Sequence, residues 1–172
     1  MIQSETEKSI CEEIHFDALF REHALPLRNF CLYKCQDPVQ AEDYVQEAFT
    51  RLWKRCADIP FEKAKSYLFK ISQNLFLDQV KHQKVVTKYL TRIPDPVSFQ
   101  DPGFNLEEKE LLERIEQAIE DLTEKQRVVF LLHRMDGHSY KDIAEMLGIS
   151  IKTVEKRMHR ALLSLRTCIP QL

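Results

Sequence analysis

The sequence predicts an all-α protein of two small helical domains joined by a flexible, proline-containing linker, the second domain carrying a helix-turn-helix. Three observations support this. Apolar residues recur at helical spacing almost throughout, and no β-branched alternation lasts long enough to build a sheet. The three glycines, Gly103, Gly137 and Gly148, each stand at the edge of a periodic stretch, where helix punctuation belongs. Between two periodic regions, "TRIPDPVSFQDPGFN" holds three prolines and a glycine with no apolar period, which is linker chemistry. The expected organisation is a polar tail over 1–11, a first helical domain over 12–85, a linker over 86–105 and a second helical domain over 106–172.

The elements follow in order. A first helix is expected from about Phe16 to Lys34, with a kink or break near Pro26. Asp37 and Pro38 form an N-cap and first-turn pair for a second helix reaching about Arg55. Pro60 closes a short loop, and a third helix spans about Lys63 to Gln83. After the linker, periodicity resumes from Leu106 to about Glu120. Thr123 and Gln126 fit a capping box for the next helix. Ser139, with Asp142 three residues on, caps another, and Ser150 caps the last.

The bulk composition excludes several classes. A length of 172 residues fits one domain or two small ones, and 44% apolar residues suffice for a core. No apolar run approaches the ~20 residues of a membrane span. The start, "MIQSETEKSICEEIHF", is acidic and polar, unlike a signal or transit peptide, so a cytoplasmic protein is expected. Without a glycine-rich loop there is no phosphate cradle, and a nucleotide-hydrolysing enzyme is not expected. Cys11, Cys31, Cys35, Cys56 and Cys168 are odd in number and form no C-x-x-C pair, so they read as small apolar core residues. Cys31 and Cys35 share a helical face, but His133 and His138 flank a turn without ligand spacing. No metal or cofactor is expected.

The net charge of −2 conceals a pattern. Residues 1–60 sum to −4, 61–92 to +5, 93–124 to −8 and 125–172 to +5. Two basic blocks separated by an acidic one suggest two separate contacts with a polyanion.

The second basic block contains "SYKDIAEMLGISIKTVEKRMHRALLSLR". Ile143, Ala144 and Leu147 give its first helix a buried stripe, Gly148 supplies a positive-φ corner and Ile149 plugs the space beneath. Val154, Met158, Ala161, Leu162 and Leu165 share the inward face of the last helix. Lys152, Thr153, Lys156, Arg157 and Arg160 occupy the other face. Residues near that helix's N-terminus can reach base edges, and the later ones can reach phosphates. This is a DNA-reading helix-turn-helix, which by itself does not name the class of regulator.

In the first domain, Ala41, Val45, Ala48, Phe49 and Leu52 line an apolar face of the second helix, with Trp53 at its margin. Asp43, Gln46, Glu47 and Thr50 form a polar stripe away from it, suited to docking on a protein partner. The third helix buries Leu68, Ile71, Leu75 and Phe76. It presents Tyr67, Lys70, Asn74, Asp78 and Lys81 along one face. Aromatic, basic and amide groups together suit melted or single-stranded DNA, with cations on phosphates and rings stacked on bases, while taken alone the aromatics read first as structural.

Three blocks, "AEDYVQEAFTRLWKR", "KSYLFKISQNLFLDQVK" and "LTEKQRVVFLLHRMDGHSYKDIAEMLGISIKTVEKRMHRALLSLR", resemble in order and separation the signature blocks of extracytoplasmic-function sigma factors. The resemblance covers nearly the whole chain apart from the first dozen residues and the linker. It implies a bacterial RNA polymerase subunit without catalytic activity of its own. It implies docking on the clamp coiled coil of the polymerase largest subunit through Asp43, Gln46 and Glu47. It implies recognition and opening of the −10 promoter element by Phe61, Lys63, Tyr67, Lys70, Asn74, Asp78 and Lys81. It implies reading of the −35 element by Lys152, Thr153, Lys156, Arg157 and Arg160. Tyr67 stands where the family often has tryptophan, which keeps an aromatic face for stacking. The implied partners are core RNA polymerase, promoter DNA and an anti-sigma factor. The alternative reading is a two-domain helix-turn-helix regulator acting on an operator, its N-terminal half sensing a ligand or dimerising. A metal-responsive protein using Cys31, Cys35 and a histidine is a third.

Overall fold

The computed structural model describes residues 8–87 and 106–168, with side chains described over 8–81 and 111–167. The described residues form α1 (Glu13–Cys35), α2 (Pro38–Lys54), a 3₁₀ turn (Phe61–Lys63), α3 (Ala64–Thr87), α4 (Leu106–Glu120), α5 (Glu124–Arg134), α6 (Tyr140–Leu147) and α7 (Ile151–Cys168). No strand occurs among them. The architecture is all-α.

The helix boundaries follow local chemistry. The Asp37 carboxylate accepts from the backbone N–H groups of Val39 at 2.9 Å and Gln40 at 3.1 Å, and Pro38 opens α2 behind it. Thr123 donates its backbone N–H and its hydroxyl to the Gln126 side chain at the start of α5. Ser139 and Asp142 exchange the same kind of bonds before α6. Gly148, at φ 62°, ends α6 in the left-handed conformation that a side chain would strain. Ser150 Oγ then accepts from the Thr153 N–H at 3.2 Å to start α7.

Three expectations are corrected. Of the kink or break expected near Pro26, the break does not occur: α1 is one helix through it. The ring removes one intrahelical bond, leaving the Glu22 carbonyl, but Glu22 is exposed and water can take its place. His23, Leu27 and Phe30 are buried around the proline and hold both turns on one core. Helix α3 continues to Thr87, beyond the expected end at Gln83 and into the first positions assigned to the linker. The rest of the linker, with Gly103, lies outside the described residues. The cysteines are not all core filler: Cys11 and Cys56 are joined by a disulfide, and Cys11 is exposed. Cys31 does fill the core, at 1% exposure.

Helices α1, α2 and α3 pack on one another around Leu27, Phe30, Ala48, Leu52, Leu68 and Phe69, and the Phe30 and Phe69 rings meet edge to face at 5.1 Å. Each such large side chain contributes roughly 1.5–3 kcal/mol on full burial. Helices α5, α6 and α7 bury Val128, Leu132, Ile143, Val154 and Met158. A smaller apolar cluster of Ala118, Leu122, Ala161 and Leu165 fastens α4 to α7.

The two helical units share a seam, α1 against α5 and α3 against α6, and their apolar cores run together there. The seam carries buried charge. Lys34, at the end of α1, pairs with Glu124 at the start of α5 and lies over the Phe30 and Phe76 rings at 5.3 and 4.8 Å. Arg127 on α5 donates to the carbonyls of Tyr33, Glu120 and Leu122 at 3.1, 3.3 and 3.2 Å, so one guanidinium satisfies carbonyls near the ends of α1 and α4. Asn29 and Tyr33 both donate to Asp136 beyond α5.

Candidate nucleic-acid and partner interfaces

On α2, the apolar face predicted from the sequence is buried, Ala41, Ala48 and Leu52 completely, and the polar stripe faces out. Asp43, Gln46 and Thr50 are exposed and Glu47 is half-buried, its carboxylate accepting from Arg51 Nε at 2.6 Å. Spacings of three and four residues extend the stripe to Val39 and Trp53, which are 69% and 44% exposed. The outward face of α2 is thus polar in the middle and apolar at both ends. Trp53 packs edge-on against Phe16 of α1 at 4.9 Å, and Phe20, also partly exposed, extends the apolar border. Val39, Phe16 and Phe20 were missed as members of this surface. Val39 was legible from its heptad spacing to Gln46, whereas the α1 phenylalanines join it only through tertiary packing.

Along α3, Leu68 and Ile71 are buried as expected, and Lys70, Asn74, Asp78 and Lys81 are exposed. Lys63, Tyr67, Lys70 and Asn74 come together along one side of a cleft of about 600 Å³. The opposite side is Glu145, Met146, Leu147 and Gly148, the corner of the helix-turn-helix. Tyr67 is half-buried, with the Arg55 guanidinium 5.9 Å from its ring. Asp78 and Lys81 lie further along the helix and pair with each other at 3.4 Å, outside the cleft lining.

Phe61 does not join this group. It sits in the 3₁₀ turn with its ring against α1, 5.9 Å from the His15 ring and 5.5 Å from Lys8 Nζ. Its place in the loop is legible from the sequence, but the direction in which the ring turns is not.

On α7, Lys152, Lys156 and Arg160 are exposed on one face, while Val154, Met158 and Ala161 are buried behind them. His159 is exposed on the same face and Glu155 interrupts its positive charge; both follow from the helical spacing and were not singled out. Thr153 uses its hydroxyl in the start of the helix, 2.8 Å from Ser150 Oγ. Arg157 departs from the expected face. It is half-buried and lines a small cavity at the seam with Lys34, Gln73, Glu124 and Ile149, because a hundred-degree step from Lys156 turns it toward α3 and α5.

His133 and His138 serve the α5–α6 turn. His133 Nδ1 lies 2.9 Å from the His138 carbonyl, and its ring packs against Tyr140. No described group of three His, Cys, Asp or Glu side chains is arranged to hold a metal ion. No described helix is long and apolar enough to cross a membrane.

Comparison with known proteins identifies the family. Residues 19–85 match the family model for Sigma-70 region 2, and residues 112–165 match that for Sigma-70 region 4. The chain is 30% identical over 159 residues to the ECF RNA polymerase sigma factor SigL of Mycobacterium tuberculosis, covering 90% of this chain and 89% of SigL. It is 28% identical over 154 residues to the ECF RNA polymerase sigma factor SigE of Mycolicibacterium smegmatis, covering 88% of this chain and 60% of that protein. The fold is similar to that of the sigma factor RpoE, solved in complex with the anti-sigma factor NepR from Bartonella quintana. There the TM-score is 0.68 at 23% identity, over 91% of this chain and 97% of RpoE. With regions 2 and 4 both present and in this order, the chain belongs to the ECF RNA polymerase sigma factors.

Proposed function

We propose that this alternative sigma factor binds core RNA polymerase through the outward face of α2, with Asp43, Gln46 and Glu47 at its centre. The observation that carries this is the continuous stripe from Val39 to Trp53. Exposed Trp53 and Val39 beside hydrogen-bonding side chains combine the aromatic and polar groups that protein contacts use. On the polymerase, the α3 face of Lys63, Tyr67, Lys70 and Asn74 takes the −10 element. The α7 face of Lys152, Lys156 and Arg160 takes the −35 element. The organisation behind this is a first domain over 12–85, a linker over 86–105 and a second domain over 106–172. The chain acts by binding, in the cytoplasm where polymerase and DNA are, and carries no reaction chemistry of its own. That RpoE was solved with NepR supports an anti-sigma partner for this chain too.

The cleft limits how promoter DNA is engaged. Centres 25 base pairs apart lie roughly 85 Å apart at about 3.4 Å per step. Here the α3 face and the helix-turn-helix corner line opposite sides of one cleft. Both elements are read together only after the α1–α5 and α3–α6 seam has parted, and polymerase supplies the spacing that holds the halves apart.

The test is binding of fluorescent protein to core polymerase. Wild type binds, and Glu47→Lys weakens binding at least a hundredfold while its helical content and Tm stay as in wild type. Unchanged binding by Glu47→Lys would remove α2 as the docking face.

A further inference from the structure

We propose that Cys11 and Cys56 are a reversible redox pair that controls the loop carrying Phe61. This rests on the −10-reading role that the family resemblance implies for Phe61 and Lys63. The two Cα atoms are 5.0 Å apart across 45 residues of sequence, within the range a disulfide spans, and the bond is formed in this structure. Cys11 is exposed in the segment before α1, and Cys56 is half-buried in the turn after α2. A small thiol reagent can therefore reach the pair. The other described thiols are poor competitors: burial pushes Cys31 up to about 12, and burial also raises Cys35. A factor working beside polymerase and DNA is bathed in reduced low-molecular-weight thiols, where disulfides are transient and regulatory rather than structural.

The bond is placed to act on Phe61. It fastens the segment that buries Ile10 at 1% exposure. The same segment brings Lys8 over the Phe61 ring, and the Ser9 carbonyl accepts from His15 Nδ1 at 3.0 Å. His15 in turn meets the Phe61 ring edge to face. In the bonded state the aromatic ring is engaged by its own chain, five residues from the bonded Cys56. In the dithiol state the segment is released and the ring is available to a base.

The oxidant is a low-molecular-weight disulfide, RSSR. The Cys11 thiolate attacks one of its sulfurs, forming a Cys11–SR mixed disulfide and expelling RS⁻. The Cys56 thiolate then attacks the Cys11 sulfur and expels the second RS⁻. The protein loses two protons and two electrons, and RSSR becomes two RSH.

The experiment equilibrates full-length protein carrying Cys168→Ser in glutathione buffers of graded composition. Free thiols are trapped by alkylation and the bonded pair is identified by peptide mass. Hydrogen exchange over residues 57–63 and transcription with core polymerase are read on the same samples. The expected result is one disulfide, Cys11–Cys56, with slower exchange in the loop. Transcription falls roughly tenfold, the loss of about one stacked base, and is restored by a dithiol reductant. Added Cys11→Ser holds transcription at the reduced level in every buffer. Persistence of both thiols in excess glutathione disulfide would overturn the proposal, as would equal inhibition of Cys11→Ser. A bond that forms without slowing exchange would overturn it too. Failure of the fully reduced protein to transcribe speaks against the polymerase reading, and loop exchange then decides the redox pair by itself.

Discussion

Tyr33 on α1 donates its phenolic hydrogen to Asp136 Oδ1 at 3.0 Å, joining positions 103 residues apart in the chain. Asn29 donates to the same oxygen at 3.0 Å, while Asp136 Oδ2 is buried without a partner. Burial and the neighbouring carboxylate together raise the Tyr33 hydroxyl well above the usual phenol range. This contact ties the two helical units to each other.

Removing one donor, in Tyr33→Phe, is expected to cost about 1 kcal/mol, since Asn29 still serves the carboxylate. Removing both, in Asn29→Ala with Tyr33→Phe, leaves the carboxylate unserved and is expected to cost about 3 kcal/mol, more than the two single changes added. Urea unfolding of the four proteins measures this coupling. Strict additivity would mean that Asp136 finds another partner.

The same double variant should part the seam. Energy transfer between dyes placed without cysteine chemistry at Thr50 and Arg166 is expected to fall relative to wild type, and to fall in wild type when core polymerase binds. Transfer that stays constant on polymerase binding would contradict the opening.

On α7, Lys156→Ala is expected to weaken binding to all promoter sequences alike and to reduce the salt slope by about 0.9, one phosphate contact. Lys152→Ala, at the helix start, is expected to change sequence preference at the −35 element instead. Binding of polymerase holoenzyme across a salt series and a set of −35 variants separates the two. Arg157→Ala, turned toward the seam, should change neither salt slope nor preference as strongly as its neighbours.

Acid should loosen the first helical unit. His23 is buried, and loss of solvation lowers its pKa below the ordinary 6.5, Glu22 opposing this and Lys65 reinforcing it. The unfolded chain therefore takes up a proton first as pH falls. Stability from neutral His23 is full above about the unfolded value and is lost as pH drops from there through the folded value. Thermal unfolding is expected at lower temperature at pH 5.5 than at pH 7.5, with a smaller difference in His23→Gln. An equal difference in that variant would assign the acid sensitivity elsewhere.

Much of this is legible in the sequence. Helix ends at Asp37, Thr123, Ser139 and Gly148 are local events, with cap and capped group within three residues, so spacing alone locates them. The face of α2 is legible for the same reason, since one period sorts Ala48 inward and Gln46 outward. The seam was not legible. Lys34 and Arg127 read locally as ordinary basic residues of a helix end and a helix face. Their partners Glu124 and the Tyr33 carbonyl lie 90 and 94 residues away, where no periodicity reaches. The Cys11–Cys56 bond was hidden in the same way, because an odd set of cysteines at wide spacing specifies no pairing. The direction of Phe61 and Arg157 depended on packing between elements, and spacing placed them only to within a turn.

We propose that promoter specificity is expressed on polymerase by two faces of one chain. Runoff transcription over a library randomised at both elements and at their separation tests it most directly. With core polymerase, active templates should share two short elements at one fixed separation, while free protein alone selects no sequence. Tight selection of a single operator by the free protein, with core polymerase adding nothing, would contradict the account.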